Sequence, residues 1–452
     1  MSGFPETELQ LIDMTVRMFT EPTLHLNNAL LVERLELVQQ DKLALLADLM
    51  GNLNCRDEEE VRAILASNKK FAALLTSRGI PVPMKVSATT GKPAPALAKN
   101  DEGFLALQEH EDPIVQQLCA VRLGTKSTIE ESRLKRFVDI GARNRSLLPI
   151  PLKYYGAHTG RWSGQDGINM QNLPSRDRYK KALKNAIVAP DGHFIINCDS
   201  SQIEARVLAW WAGQTDVVEA FAQKRDVYCE FASKVYKRPI SKADPIERFV
   251  GKTCILGLGY GTGAEKLRHT LKTSPPGADL PIDECKSIVR VYRDANYRIT
   301  ELWRECDEAL KNMMNGVTAP FTLGKNGAVG ITKDGVLLPN GLYIRYPNLH
   351  MENERVVYTS RRGTNGIWGG AMVENIVQAL ARIVVGEQMV QLAQAGLRPV
   401  LTVHDAAVIV VPEAKLEASL ATITSVMSTT PTWAAGLPVA CEAKFGQSYG
   451  EC

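Results

Sequence analysis

The chain has 452 residues, of which 45% are hydrophobic and 23% charged, and its formal net charge is +3. This length allows two or three domains, or one large enzyme with several lobes. No apolar run approaches the ~20 residues of a membrane span, and the N-terminus lacks the basic start and apolar stretch of a signal peptide. We therefore expect a cytoplasmic protein that does not bind membranes.

The nine cysteines form no C-x-x-C pair and do not cluster with the seven histidines. A zinc site or a disulfide framework needs such grouping. We therefore expect reduced thiols, most of them buried.

Positive charge is concentrated between Arg122 and Lys184, where 14 Lys or Arg face 5 Asp or Glu. A charge run alone is most often a solvated helical face. Here it is interleaved with aromatic residues and glycines, among them Tyr154 and Trp162. A basic stripe of this kind in an otherwise acidic chain favours a nucleic-acid partner.

The first half of the chain begins with helices and reaches a strand. Apolar spacing predicts a helical subdomain over residues 1–145. Residues 194–199, Phe-Ile-Ile-Asn-Cys-Asp, predict a buried strand, and a helix is expected from 202 to 211.

The second half is predicted to be mainly helical over residues 213–365, with a glycine-rich stretch at 257–263. Strands then return, because Pro399 and Pro412 bracket an apolar run with His404 and Asp405 at its middle. The run predicts two strands that meet at a turn.

Asp199 and Asp405 both lie at the end of an apolar strand pattern. Asp405 in a hairpin turn could be exposed and structural, and Asp199 could cap a helix, with Ser200 and Ser201 as rival caps. If the two aspartates converge, they are the minimum for a two-metal phosphoryl-transfer site, and oxygen ligands favour Mg²⁺.

Arg248, Lys252, Leu256 and Tyr260 recur at intervals of four, so a helix would align them on one face. The two cations could meet phosphates while the far end meets sugar and base. An ordinary amphipathic helix with a basic end is the alternative. A second alternative is a dinucleotide-binding turn, since residues 259–264 fit G-x-G-x-x-A, although the preceding residues make a poor buried strand.

Four segments in chain order resemble the motifs of family A DNA polymerases, the bacterial DNA polymerase I type. They are Thr159-Gly-Arg161-Trp-Ser163 with Asn169-Met-Gln-Asn172-Leu-Pro174, Asp199-Ser-Ser-Gln-Ile-Glu204-Ala-Arg206, Arg248-x3-Lys252-x7-Tyr260-Gly261, and Val403-His404-Asp405. Other stretches are similar to phage members, including Thr15-Val-Arg-Met-Phe-Thr-Glu-Pro22, Ala98-Lys-Asn-Asp101 and Arg122-Leu-Gly-Thr-Lys-Ser-Thr128. The resemblance covers nearly the whole chain.

The resemblance implies an α+β, right-hand polymerase fold that is mainly helical, with an antiparallel palm sheet. Its expected subdomains are the thumb and N-terminal connector (1–145), the palm (146–212 and 366–452) and the fingers (213–365). It implies a DNA-directed DNA polymerase that adds dNTPs to a primer 3′ end. A monomer is expected, acting in the cytoplasm of a host if phage-encoded.

The resemblance also implies roles for individual residues. Asp199 and Asp405 would be catalytic and would hold two Mg²⁺ ions with help from the carbonyl of Ser200. Nucleotide contacts are expected from Gln202, Glu204, Tyr228, Arg248, Lys252, Leu256 and Tyr260. DNA contacts are expected from Lys126, Ser127, Thr128, Arg161, Asn172, Gln378 and His404. Among these, Arg161 would read the minor groove near the primer end.

Glu204 has two interpretations. With Ser201 it matches the S-x-x-E capping box. In the family the position is a steric gate that fills the space of a ribose 2′-OH, and we favour the gate.

Three residues depart from the family pattern. Ala406 replaces a second acid, Leu256 replaces Phe or Tyr, and Tyr228 stands where many members have histidine. We expect activity with altered primer-end placement, changed sugar discrimination and a lost positive charge, respectively.

The family's 3′ to 5′ exonuclease domain usually precedes the segment that begins at Leu9. Only a few residues precede it here, and no D-x-E strand is present. We therefore expect no proofreading nuclease on this chain, whether by nature or by truncation. A single-subunit RNA polymerase and a non-catalytic DNA-binding scaffold are the rival functions, against which Glu204 and the two aspartates argue, respectively.

Overall fold

The computed structural model describes residues 3–53, 55–87, 91–99, 101–108, 110, 112–126, 129–173, 181–316, 320–360 and 363–452. Within these ranges helices predominate. They are α1 (Glu6–Thr20), α2 (Asn28–Leu53), α3 (Glu58–Ala66), α4 (Asn68–Ser77), α5 (Glu102–Gln108), α6 (Pro113–Lys126), α7 (Ile129–Arg143), α8 (Ala182–Asn185), α9 (Ile203–Ala212), α10 (Thr215–Ala222), α11 (Val227–Tyr236), α12 (Pro245–Leu258), α13 (Ala264–Thr273), α14 (Ile282–Ala295), α15 (Tyr297–Met314), α16 (Gly369–Gln394) and α17 (Leu416–Met427).

The strands are short, and those of the three- and four-stranded sheets pair in an antiparallel sense. They are β1 (His25–Leu26), β2 (Met84–Val86), β3 (Pro93–Pro95), β4 (Leu152–Lys153), β5 (Ser163–Gly164), β6 (Ile187–Val188), β7 (His193–Ser200), β8 (Phe321–Leu323), β9 (Val329–Thr332), β10 (Gly335–Leu337), β11 (Tyr343–Ile344), β12 (His350–Glu352), β13 (Arg355–Ser360), β14 (Gly363–Gly366), β15 (Leu401–Val403), β16 (Ala406–Pro412) and β17 (Cys441–Gly446). The predicted α+β class is confirmed.

The chain forms two compact units. The larger unit comprises residues 1–24, 148–173 and 188–452, and the smaller comprises 25–147 and 174–187. The first 24 residues therefore pack with the larger unit instead of with the helices that follow them. The finer division into thumb, palm and fingers stays a prediction.

The larger unit contains the sheet predicted from the apolar runs. Its strand order is β15-β16-β7-β17, so β7 lies between β16 and β17. Along β7, Ile195, Ile196 and Cys198 are buried, whereas Asp199 near the end of the strand is exposed. The predicted pair of strands around Asp405 is confirmed as β15 and β16, joined by a two-residue turn.

The long helix α16 is the core of the larger unit. Most of its residues are buried, and it packs against α9 and α15 around the buried side chain of Trp211. Among the described helices, α16 alone is long and apolar enough to cross a membrane, but 78% of its apolar window is buried inside the protein. A core helix of a globular protein accounts for that composition.

The prediction of a mainly helical segment to residue 365 is wrong at its end. After α15, residues 321–360 and 363–366 form two antiparallel sheets of short strands, β8 to β11 and β12 to β14. These strands have two to six residues and are separated by turns, which is too short for a clear alternating pattern. The dinucleotide alternative also fails, because the glycine-rich stretch follows helix α12 and no strand precedes it.

The smaller unit is built on helices α2 to α7. Its core includes Phe71, Phe104 and Val115, and the buried guanidinium of Arg122 lies over the ring of Phe71. The predicted DNA contacts Ser127 and Thr128 lie outside the described residues, as does the side chain of Lys126.

Candidate active site

The two aspartates lie on neighbouring segments of one sheet. The register places Ala406 opposite Asp199, so Asp405 immediately precedes the partner of Asp199. A backbone hydrogen bond of 3.0 Å from the Ser200 amide to the Asp405 carbonyl joins the two segments. The fold therefore brings Asp199 and Asp405 close to each other.

Left-handed backbone conformations flank both aspartates. His404, the first residue of the β15–β16 turn, has φ +52°, and its amide donates to the Gln171 side chain at 2.6 Å. Gln202, which precedes α9, also has φ +52°. Non-glycine residues in this region are strained and cluster at functional sites.

The capping interpretations of this region are wrong. The residue that caps α9 is Gln202, and it makes no side-chain capping hydrogen bond. Neither Asp199 nor the Ser201–Glu204 capping box closes the helix start. The carboxylate of Glu204 instead pairs with Arg161.

The guanidinium of Arg161 bridges two acids. Its Nη2 atom lies 2.8 Å from an oxygen of Asp405 and 2.8 Å from an oxygen of Glu204. Burial raises the pKa of Glu204, with Arg161 opposing the rise and the charges of Asp405 and Glu374 adding to it. The predicted primer-end residue and the predicted sugar gate are thus in direct contact.

Asp199 lies in a concentration of negative charge. Desolvation by the surrounding protein raises its pKa to about 6, and the charges of Asp405 and Glu442 add to the rise while Lys444 opposes it. Glu442 lies directly opposite Asp199 on β17, so Glu442, Asp199 and Ala406 form one row across the sheet. The alternation of β17 could have indicated Glu442, but its strand partner could not be read from the sequence.

The donor set fits Mg²⁺. Two carboxylates supply hard oxygen ligands, and their mutual repulsion, which adds to the effect of desolvation on the pKa of Asp199, would be relieved by a cation. No group of three His, Cys, Asp or Glu side chains able to hold a metal occurs among the described residues. A Mg²⁺ ion here would therefore depend on water and substrate oxygens for its other ligands, as Mg²⁺ commonly does.

Helix α12 carries the predicted phosphate-binding face. Lys252 and Leu256 are both exposed on it, and Leu256 has 42% of its surface accessible. Arg248 is held by Asp226, whose carboxylate accepts from its Nε at 2.9 Å. The predicted alignment is confirmed for these three residues.

Tyr260 departs from that alignment. Helix α12 ends at Leu258, so Tyr260 lies in the turn that follows. It nevertheless lines the same cavity of about 460 Å³ as Leu256, together with Trp368 and Glu374. Sequence reasoning missed Trp368, which immediately precedes α16, and Glu374, which lies on α16. Gln378 lies on the same helix.

Tyr228 and Gln202 belong to one group with Arg248. Tyr228 is buried near Gln202, and the guanidinium of Arg248 lies 5.4 Å from its ring centroid. Asp226 caps α11 and also accepts from Arg248. The tyrosine therefore supports the cation beside it.

The remaining predicted DNA contacts lie on α16 and on the loops around residues 172 and 404. Gln378 on α16 accepts a hydrogen bond of 3.3 Å from the Thr159 hydroxyl. Asn172 and the side chain of His404 are exposed. Since Gln171 binds the His404 backbone, these two exposed groups belong to adjoining loops.

Comparison with known proteins identifies the family. The model of DNA polymerase family A matches residues 57–451. This chain belongs to DNA polymerase family A. It is 28% identical to a DNA polymerase of Bacillus phage SP02, over 89% of this chain and 67% of that protein. It is 24% identical to the thermostable DNA polymerase I of Thermus aquaticus, over 88% of this chain and 42% of that protein.

The polymerase fold is also shown by a solved structure. The POL domain of Pol1 from M. smegmatis, in complex with DNA primer-template and dNTP, superposes with a TM-score of 0.72 at 19% identity. The match covers 99% of this chain and 70% of the other. This family A polymerase spans about two thirds of its phage relative and less than half of the Thermus enzyme.

Proposed function

We propose that this chain catalyses template-directed DNA synthesis, adding dNTPs to the 3′ end of a primer annealed to a template. The observation that carries the proposal is the pairing of β7 with β16, which brings Asp199 and Asp405 together. Its membership of DNA polymerase family A supports the same reaction. The substrates would be primer-template DNA and dNTPs, and the site of action the cytoplasm.

Asp199 and Asp405 would hold two Mg²⁺ ions, with the Ser200 carbonyl contributing. Bound there, the metals would lower the charge barrier to attack by the primer 3′-OH and stabilise the leaving pyrophosphate. Arg248 and Lys252 would bind the triphosphate, and Gln202 and Tyr228 would support them. Leu256, Tyr260 and Glu204 would surround the sugar and base.

Arg161, Asn172, Gln378 and His404 would contact the DNA. Arg161 now pairs with Asp405 and Glu204, so a primer end that takes its guanidinium would release both carboxylates. This exchange would couple binding of DNA to preparation of the acidic site.

The direct test is extension of a labelled primed template. We expect product with dNTPs and Mg²⁺, none after chelation by EDTA, and little with rNTPs. Efficient extension with rNTPs would instead support an RNA polymerase. Template binding without extension under all conditions would support a scaffold and refute the proposal.

Glu204→Ala is expected to relax sugar selection, because it removes the side chain that would occupy the space of a 2′-OH. Glu204→Gln keeps that volume and removes the charge, so it should retain most of the selection. The ratio of rNTP to dNTP incorporation measures both. Equal ratios in Glu204→Ala and the wild type would show that Glu204 acts only as the partner of Arg161.

Leu256→Tyr is expected to reduce discrimination against dideoxynucleotides, because a tyrosine hydroxyl could replace the contact of the missing 3′-OH. One net hydrogen bond of about 0.5–1.5 kcal/mol corresponds to a gain of several-fold. Leu256→Phe adds the ring without the hydroxyl and is the matched control. Single-turnover incorporation of ddNTP and dNTP is the measurement, and equal ratios in the two variants would contradict the hydroxyl contact.

A further inference from the structure

Helix α1 lies outside the range matched by the family model, yet it holds the loop that carries Arg161. The loop runs from Tyr154 to Trp162, and both of its ends are hydrogen bonded to α1. The Tyr154 hydroxyl donates to Glu8 at 2.5 Å. The indole N–H of Trp162 donates to the Thr15 hydroxyl at 2.9 Å.

Glu8 is the centre of a buried polar group in the larger unit. Only 1% of Glu8 and 2% of Arg382 are accessible, and the two form an ion pair. Asn340 also donates to the Glu8 carboxylate, at 2.7 Å. Burial alone would raise the pKa of Glu8, but Arg382, Tyr154 and Asn340 hold it below its usual value.

The guanidinium of Arg382 is surrounded by the aromatic rings of the same loop. Its Cζ atom lies 5.4 Å from the Tyr154 ring centroid, 5.2 Å from that of Tyr155 and 4.6 Å from that of Trp162. Its Nε and Nη2 atoms are buried without a hydrogen-bond partner among the described residues. Besides Glu8, the groups that face this cation are therefore the three rings, and cation–π attraction favours their orientation around it.

The Tyr155 ring in turn fixes the backbone next to Arg161. It packs so closely on Gly160 that a β-carbon there would come within 2.7 Å of the ring. Gly160 also has φ +82°, which a larger residue rarely adopts. Gly160 is thus held by Tyr155, which contacts Arg382, and Trp162 is held by Thr15 and Arg382. Arg382 is in turn paired with Glu8.

We propose that Glu8 and Thr15 are positioning residues for Arg161: they fix the 154–162 loop so that its guanidinium reaches Asp405 and Glu204. The inference rests on the proposed function, since its effect is read in primer extension. It assigns a role in the active site to a helix that contributes no catalytic group.

Thr15→Val tests the inference with little change in volume, and Thr15→Ser keeps the hydroxyl. We expect Thr15→Val to lower kcat by roughly 3- to 10-fold, the range of one hydrogen bond, and Thr15→Ser to restore it. Arg161→Ala serves as the reference. In that background Thr15→Val should have no further effect on kcat, because the residue it positions is gone.

Met14→Ala is the matched control for stability. Met14 is a buried residue of the same helix, and its truncation should lower the Tm at least as much as Thr15→Val while leaving kcat nearly unchanged. If Thr15→Val does not fold, Tyr154→Phe removes the bond to Glu8 and keeps the ring. The same loss of kcat, absent in the Arg161→Ala background, is then expected.

Two outcomes would overturn this inference and leave the proposed function intact. In the first, the wild type extends primers and Thr15→Val has the same kcat as Thr15→Ser. In the second, the effect of Thr15→Val on kcat persists undiminished in the Arg161→Ala background. The second would mean that α1 acts on stability and not through Arg161. A wild type that binds primed template but does not extend it would refute the proposed function and this inference with it.

Discussion

Replacing Asp199 or Asp405 by alanine is expected to abolish primer extension, with a loss of roughly 10³-fold or more. Each carboxylate would supply ligands for the metals on which the chemistry depends, and no third acid of the described residues completes a metal-binding group with them. Glu442 and Ala406 flank Asp199 in the sheet, but Ala406 has no ligand to offer. The loss should therefore appear in single-turnover rate at saturating dNTP.

Primer-template binding by the same variants should change little, since the DNA would be held mainly by other groups. Fluorescence anisotropy with labelled primer-template measures this separately from extension. Asp191→Ala is the matched control, because Asp191 is an exposed aspartate just before the opposite end of β7. Near-normal extension by Asp199→Ala or Asp405→Ala would refute the two-metal assignment.

The sequence predicted the strands of this site but not how they pair. The apolar residues of β7 and β16 define each strand locally. Their register, with Ala406 opposite Asp199, depends on pairing between segments about 200 residues apart in the chain. The resemblance to family A supplied the convergence that periodicity could not, because register is set by tertiary packing.

Helix ends and distant partners were predicted least well. Four-residue spacing placed Tyr260 on α12, but the helix ends at Leu258, where Gly257 and Gly259 weaken it. The ion pair of Glu8 and Arg382 joins α1 to α16, two helices that are far apart in the sequence. A lone acid in an amphipathic helix gives no local signal that it will be buried with a cation.

The last prediction distinguishes the two cations of α12. Arg248 is partly neutralised, since Asp226 accepts its Nε hydrogen bond and the Tyr228 ring lies beside it. Lys252 is exposed one turn further along and forms no ion pair with the described residues. Because a charge that no acid offsets attracts phosphate most strongly, we expect Lys252→Ala to lose more activity than Arg248→Ala.

The expected loss for Lys252→Ala is roughly 10²- to 10³-fold in kcat/KM for dNTP, the usual cost of removing one group that stabilises charge in the transition state. Lys252→Arg keeps the charge and should recover part of it. Lys242→Ala, at an exposed position in the loop before α12, is the matched control and should extend primers normally. A Lys252→Ala variant that retains most of its kcat/KM would show that Lys252 does not face the triphosphate. A larger loss in Arg248→Ala would show that Asp226 does not neutralise Arg248 during nucleotide binding.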